Sequence, residues 1–347
     1  PDLATGDLAD LAERLRALGI RRVSGRLVLD DSRFDSTAFG PGWMWDEGPY
    51  TYNAPVNAFM LNGNTVVLTI RPGRAVGDTV VVALSPPGAG IPLVVTATTR
   101  SDTVAGPPLR VDRPGSTGVL DAPFVVEGTM VLRSRAVTVR RTVPNPVAYA
   151  GSVFRQALAD AGIVVDGETV AGVAPANGIL VLAQAVSDPV DVLVRRFLKR
   201  SDNLIGEALV KHLGVAVGGD GSWASGLSAV RRSLADLAML DSTTYHLADG
   251  SGLSRYTQVS PRMIVRVIAA AADSFAIAPE FLSALAIGGR DGTLANRFTN
   301  STMSGYVRGK TGTMSGVSGL SGVVLTKAGE RLAFAVVMNG FVGSSTS

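Results

Sequence analysis

The 347-residue sequence contains no cysteine. That absence excludes disulfides, thiolate metal ligands and a cysteine nucleophile together. Histidine is nearly absent too, with only His212 and His246. A Ser-His-Asp hydrolase would have to use one of them, and no G-x-S-x-G elbow is present. His212 falls late in a predicted helix, where a cation near the C-terminus has a structural use, and His246 falls in a predicted loop. Two separated histidines without cysteine give no metal-ligand spacing, so neither a metal nor another cofactor is expected. No apolar run reaches the length of a membrane span, and no secretory signal opens the chain at Pro1-Asp2-Leu3. Lysine is scarce: Lys199, Lys211, Lys310 and Lys327. The arginines are scattered and the net charge is only +3, which favours a solvated surface over nucleic-acid binding.

What is there reads as compact and globular, with 46% hydrophobic and 18% charged residues, enough chain for two or three domains. Leu8, Leu11, Leu15 and Leu18 recur at helical spacing before Gly19, and Val23 to Leu29 reads as a strand. From about 40 to 145 the texture is β-rich, with β-branched runs at 65–70, 78–84, 91–98 and 129–143 between Pro/Gly turns. No catalytic pattern occurs there, so residues 40–145 read as accessory. After Pro144-Asn145-Pro146 helices dominate: 153–161, a helix opening at Asp188-Pro189, one from Leu204 stopped by Gly214, then 227–237, one behind Ser260-Pro261, and 279–286. Strands at 305–313, 319–325 and 331–338 close the chain. Helices followed by an antiparallel meander predict an α+β fold.

Lys310 admits two readings. Gly305 to Thr311 nearly matches the phosphate-binding G-x-x-x-x-G-K-[ST] loop, but it is one residue short and a strand pattern follows where a helix is needed. The alternative is an edge strand, Lys310-Thr311-Gly312-Thr313, presenting an ammonium, hydroxyls and a bare backbone to an extended peptide that ends in a carboxylate. Its companion is Ser201-Asp202-Asn203, in the break between two predicted helices. Either tripeptide alone reads as chance or as an ordinary N-cap. The ordered pair in this topology reads as function.

These two motifs resemble the second and third signatures of serine penicillin-binding proteins and β-lactamases. Gly25 to Phe34, Gly42-Trp43-Met44-Trp45, Asp249 to Arg255 and Gly289 to Leu294 narrow the resemblance to the class C low-molecular-mass penicillin-binding proteins, the D-alanyl-D-alanine carboxypeptidase/endopeptidase family. That resemblance implies a transpeptidase-like domain of helices on an antiparallel sheet, at 146–347 and incomplete at its C-terminus, with residues 1–145 as inserted β-rich domains. It implies a serine-type D-Ala-D-Ala carboxypeptidase, acting through an acyl-enzyme on peptidoglycan stem peptides outside the cytoplasmic membrane, inhibited by β-lactams, with endopeptidase cleavage also open. Ser201, Asn203 and Lys310 would be catalytic, and Thr311, Gly312 and Thr313 would bind substrate. The family's first signature, S-x-x-K, does not occur, since Arg196, Ala208, Val307 and Val324 stand three residues before the four lysines. Truncation, rather than loss by mutation, is the expectation. The alternatives are a catalytically silent penicillin-binding-like protein that only binds cell wall, and a basic polymer-binding module.

Overall fold

The computed structural model describes residues 3–44, 47–114, 122–299 and 301–343. Pro1, Asp2 and Trp45, which entered the sequence reading, lie outside them. Two compact units emerge, one of Pro1–Phe39 with Met44–Ser187, the other of Gly40–Trp43 with Asp188–Ser347.

The first unit opens with helix α1 (Thr5–Ala17), which buries Leu8 and Ala12 and gives way to Gly19 at φ +91°. The run expected as one strand at 23–29 breaks into β1 (Arg22–Val23) and β2 (Leu27–Leu29). Its central strands are β3 (Thr65–Arg71), β4 (Val81–Ser85), β5 (Leu93–Val95), β6 (Thr98–Arg100), β7 (Arg110–Asp112), β8 (Phe124–Glu127), β9 (Thr129–Val131) and β10 (Val137–Thr142). The expected 91–98 strand divides into β5 and β6 because the Thr96 and Ala97 N–H groups both donate to the Val126 carbonyl. Arg133, in the left-handed region at φ +65°, falls in the gap between β9 and β10. Helix α2 (Pro146–Asp160), capped by Asn145, is followed by β11 (Val164–Val165) and β12 (Thr169–Ala171), which pair in parallel with β1 and β2. The core gathers Leu61, Leu68, Ile70, Phe124, Val126 and Tyr149.

The long segments of the two compact units meet between Ser187 and Asp188. The Pro144-Asn145-Pro146 signal marks the start of a helix. Tyr149 and Val153 of that helix are buried in the first unit's core.

The second unit is α+β. Helices α3 (Val190–Arg200), α4 (Asn203–Ala216), α5 (Trp223–Ala238), α6 (Pro261–Asp273) and α7 (Ala278–Ala284) precede the short strand β13 (Ala286–Ile287). The antiparallel sheet runs β13-β14-β15-β16, with β14 at Val307–Met314, β15 at Val317–Leu325 and β16 at Arg331–Asn339. Ile268 and Ala272 of α6 pack against Val323 of the sheet. Gly214 does not stop α4; it lies inside it, where a Cβ would come within 2.6 Å of the Asp220 carbonyl and 2.9 Å of the Gly226 nitrogen. The glycine serves close packing, so the helix runs on to Ala216.

Candidate active site

Ser201 ends α3 in the left-handed conformation, φ +57° and ψ +48°, an unfavourable place for a residue with a Cβ. Capping of the next helix falls to its neighbour: Asp202 Oδ1 accepts the Ile205 N–H at 3.3 Å. Asn203 is the first residue of α4 and is half-buried. The Ser201 hydroxyl is thus left out of the cap, and it accepts a hydrogen bond from Lys310 Nζ at 2.6 Å.

Lys310 lies in β14, and the strand continues through Met314, as the edge-strand reading requires. Its ammonium also donates to the Thr311 carbonyl at 2.6 Å. Beneath it is an apolar cavity lined by Leu198, Leu234, Ile264, Phe281 and Leu285, with Ser321 beside the lysine. Burial against this apolar wall pushes the Lys310 pKa below the usual lysine range, because the charged form loses hydration. The Thr311 hydroxyl is held by Thr293 at 2.9 Å.

On one side β14 pairs with β15 along its whole length, Gly312 facing Gly319 and Thr313 facing Ser318. On the other side β13 covers only Arg308 and Gly309. Among the described residues, Lys310 to Met314 therefore present an open strand edge. Gly312 and Thr313 are exposed there, and the space a Gly312 side chain would fill is empty. Such an edge accepts an extended peptide through main-chain hydrogen bonds.

The Gly289–Leu294 segment, recognised in the sequence by resemblance alone, has a physical role. Asp291 Oδ2 accepts from Lys199 Nζ at 2.6 Å and its Oδ1 accepts the Ile287 N–H at 2.7 Å, tying α3 to β13. Burial on its own would raise the Asp291 pKa, but Lys199 and the Ile287 N–H, with Arg308 nearby, outweigh it and hold the carboxyl below its usual range. Gly292, at φ +57°, lets the segment press on the last turn of α3, and Leu294 is fully buried. Thr293, two residues on from Asp291, is the partner of Thr311. The histidines take no part in this cluster: His212 is half-buried in α4, and His246 makes a backbone bridge with Gln258.

A further group was missed. Glu207 and Lys211 on α4 are fully buried. The signal was present, since Leu204, Glu207, Ala208 and Lys211 follow the i, i+3, i+4, i+7 spacing of an inward stripe, with charged residues at two of its positions.

The full 347 residues match the D-Ala-D-Ala carboxypeptidase 3 (S13) family. The D-alanyl-D-alanine carboxypeptidase of Actinomadura sp. (strain R39) is 35% identical over 99% of this chain, which spans 64% of that relative's length. The D-alanyl-D-alanine carboxypeptidase DacB of Haemophilus influenzae is 29% identical over 98% of the chain and 70% of its own length. The crystal structure of penicillin binding protein 4 (dacB) from the same organism superposes on all of this chain and 76% of its own, at a TM-score of 0.85 and 27% identity. With a match along its whole length, and with its two motifs brought together at Lys310 and Ser201, the chain belongs to the D-Ala-D-Ala carboxypeptidase 3 (S13) family.

Proposed function

We propose that the protein of which this chain forms part is a serine-type D-Ala-D-Ala carboxypeptidase, cleaving the terminal D-Ala from peptidoglycan stem peptides. The observation that carries the reading is the 2.6 Å hydrogen bond from Lys310 to Ser201 beside the open edge of β14. In this reading the attacking serine belongs to an S-x-x-K segment, which these 347 residues do not contain. That serine attacks the carbonyl of the penultimate D-Ala, forms an acyl-enzyme and releases D-Ala; water then hydrolyses the ester. Ser201 relays a proton to the departing amine, with Lys310 as its charged neighbour. Asn203 holds the substrate amide. Thr311 and Thr313 bind the terminal carboxylate, and the bare backbone at Gly312 leaves room for the peptide to pair with the strand. The Thr313 N–H supplies one oxyanion donor, a contribution typically worth about 2.7–4 kcal/mol.

The segment to about residue 145 is an accessory insertion in this reading, and the transpeptidase-like fold lies downstream, its compact part beginning at Asp188. β-Lactams acylate the same serine as mimics of the dipeptide; penicillin binding protein 4 of H. influenzae has been crystallised with a novel β-lactam, which supports this. The substrate lies outside the cytoplasmic membrane, and so does the enzyme. No described helix is long and apolar enough to cross a membrane.

The experiment is covalent labelling with fluorescent penicillin. A protein joining this chain to its S-x-x-K segment is expected to take one label, blocked by prior acylation, while the 347 residues alone take none. A folded protein with S-x-x-K that stays unlabelled would overturn the reading in favour of a silent cell-wall binder.

A further inference from the structure

Glu207 takes no part in the proposed chemistry, yet it is a fully buried carboxylate one turn along α4 from Asn203. Burial raises its pKa, and the charge of Asp249 raises it further, against the pull of three donors. Those donors converge from two other elements: Trp223 Nε1 on α5 at 2.6 Å, and the backbone N–H groups of Gly250 and Ser251, each at 2.8 Å. Two glycines make the approach feasible. A Cβ on Gly250 would lie 2.5 Å from the Gly206 carbonyl oxygen, and one on Gly206 3.1 Å from the Gly250 carbonyl oxygen. The loop beginning at Asp249 is therefore pressed onto α4 and gripped there by one acceptor-only group.

The same loop is folded from within by Asp249, which accepts the N–H groups of Gly252 at 3.1 Å and Ser254 at 2.6 Å, and the Trp43 indole at 3.0 Å. Trp43 meets Trp223 edge-on at 6.5 Å, and the Lys211 ammonium sits 3.9 Å from the Trp223 ring centroid. At its far end Arg255 donates to the Ser315 carbonyl at 3.0 Å. Ser315 sits in the β14–β15 turn, two residues beyond Thr313. A continuous path thus runs from α4, which begins at Asn203, through Glu207 and the 249–255 loop, to the end of the recognition strand.

We propose that Glu207 is a positioning residue: by gripping Gly250 and Ser251 it sets the 249–255 loop, and through Arg255 the β14–β15 turn, at a fixed distance from Asn203. This rests on the reading above that Asn203 and β14 flank the substrate. A glutamine at 207 keeps the shape but must turn an NH2 toward one of three N–H donors, so the grip on the loop fails where acceptor chemistry, not volume, is required.

The test uses Glu207→Gln and Arg255→Ala in the protein that carries S-x-x-K, with two readouts. Amide hydrogen exchange should rise about tenfold at both 249–256 and 314–317 in Glu207→Gln, as expected for one lost hydrogen bond to a charged group, with β16 unchanged. Arg255→Ala should loosen 314–317 alone. For a D-Ala-D-Ala peptide, KM should rise about tenfold in Glu207→Gln with kcat little changed, and the double variant should be no worse than the poorer single one. Loosening of 249–256 with 314–317 untouched, a loss confined to kcat, or additive effects in the double variant would each overturn the proposal. If Glu207→Gln does not fold, Arg255→Ala still decides the link, since an unchanged turn breaks the path. The exchange arm needs no catalysis, so an unreactive wild type would sink the proposed function while leaving this inference to its own result.

Discussion

Lys310 in β14 and Ser201 at the end of α3 are joined by a 2.6 Å hydrogen bond across 109 residues of sequence. The lysine is part of the sheet, the serine closes a helix in a conformation that works against its own Cβ, and an apolar wall lies behind the ammonium. Neither group is in its cheapest state: the charge is partly dehydrated and the serine backbone is left-handed. Both costs are met by the surrounding fold, the usual condition of a preorganised polar site.

The lysine's cost has a measurable pH signature. Its folded-state pKa lies below the unfolded value of about 10.4, so the unfolded chain binds the proton more tightly. Stability of the wild type should then rise with pH from the folded pKa up to about 10.4, with a slope of at most about 1.4 kcal/mol per pH unit. Lys310→Met lacks this slope. Urea unfolding of both chains between pH 7 and 10.5 measures it, and a difference between them that stays flat with pH would show that Lys310 is not desolvated.

Ser201 separates stability from function. Glycine occupies the left-handed region without penalty, so Ser201→Gly should be more stable than Ser201→Ala by about 1 kcal/mol. Both variants remove the hydroxyl that Lys310 contacts, and both should slow penicillin acylation alike in the protein carrying S-x-x-K. Thermal unfolding ranks the pair, and labelling rates test the second half. Acylation as fast as wild type in either would remove Ser201 from the chemistry.

The helices were legible because their apolar residues repeat at 3.6 and their ends carry Gly19, Asn145 or Ser260, signals that act locally. Gly214 misled for the opposite reason: its purpose is the approach of a neighbouring helix, and that partner is invisible in a local window. Ser201, Asn203 and Lys310 could be picked out as a pair of motifs. That Asp202 carries the cap, leaving Ser201 for Lys310, needed coordinates, because either residue type can cap. Glu207 was readable in principle as a charge in an apolar stripe. Its partners, Trp223 and the Gly250–Ser251 backbone, lie 16 to 44 residues away, and no spacing rule reaches that far.

Within the Gly289–Leu294 segment, Gly292 is crowded by the backbone of α3. An alanine there would keep a left-handed φ of +57° and place its Cβ 2.7 Å from the Lys199 carbonyl and 2.8 Å from the Ala286 side chain. Left-handed strain and overpacking together should cost about 2–4 kcal/mol. Gly329, also at positive φ but with open space around it, serves as the control, and Gly329→Ala should cost only about 1 kcal/mol. Equal losses in the two variants, measured by denaturant midpoints, would show that crowding against α3 is not what Gly292 relieves.

Asp291 holds the same segment electrostatically. Its carboxyl titrates below the unfolded value of about 3.9, so its contribution is complete above that pH and is lost as pH falls through the folded pKa. Asp291→Asn keeps an acceptor for the Ile287 N–H but loses the charge facing Lys199. Since the Asp291 side chain is 41% exposed, solvent screens the pair, and the loss at pH 7 should be modest, about 1 kcal/mol. The sharper expectation is the convergence of the two stability curves on acidification, wild type falling toward the variant below about pH 4. Lys199→Met should reproduce both the loss and the convergence, because it removes the other half of the same ion pair. Should Lys199→Met instead leave stability at pH 7 unchanged while Asp291→Asn lowers it, the link between α3 and β13 would rest on the Ile287 N–H, and Lys199 would be a bystander at the end of its helix.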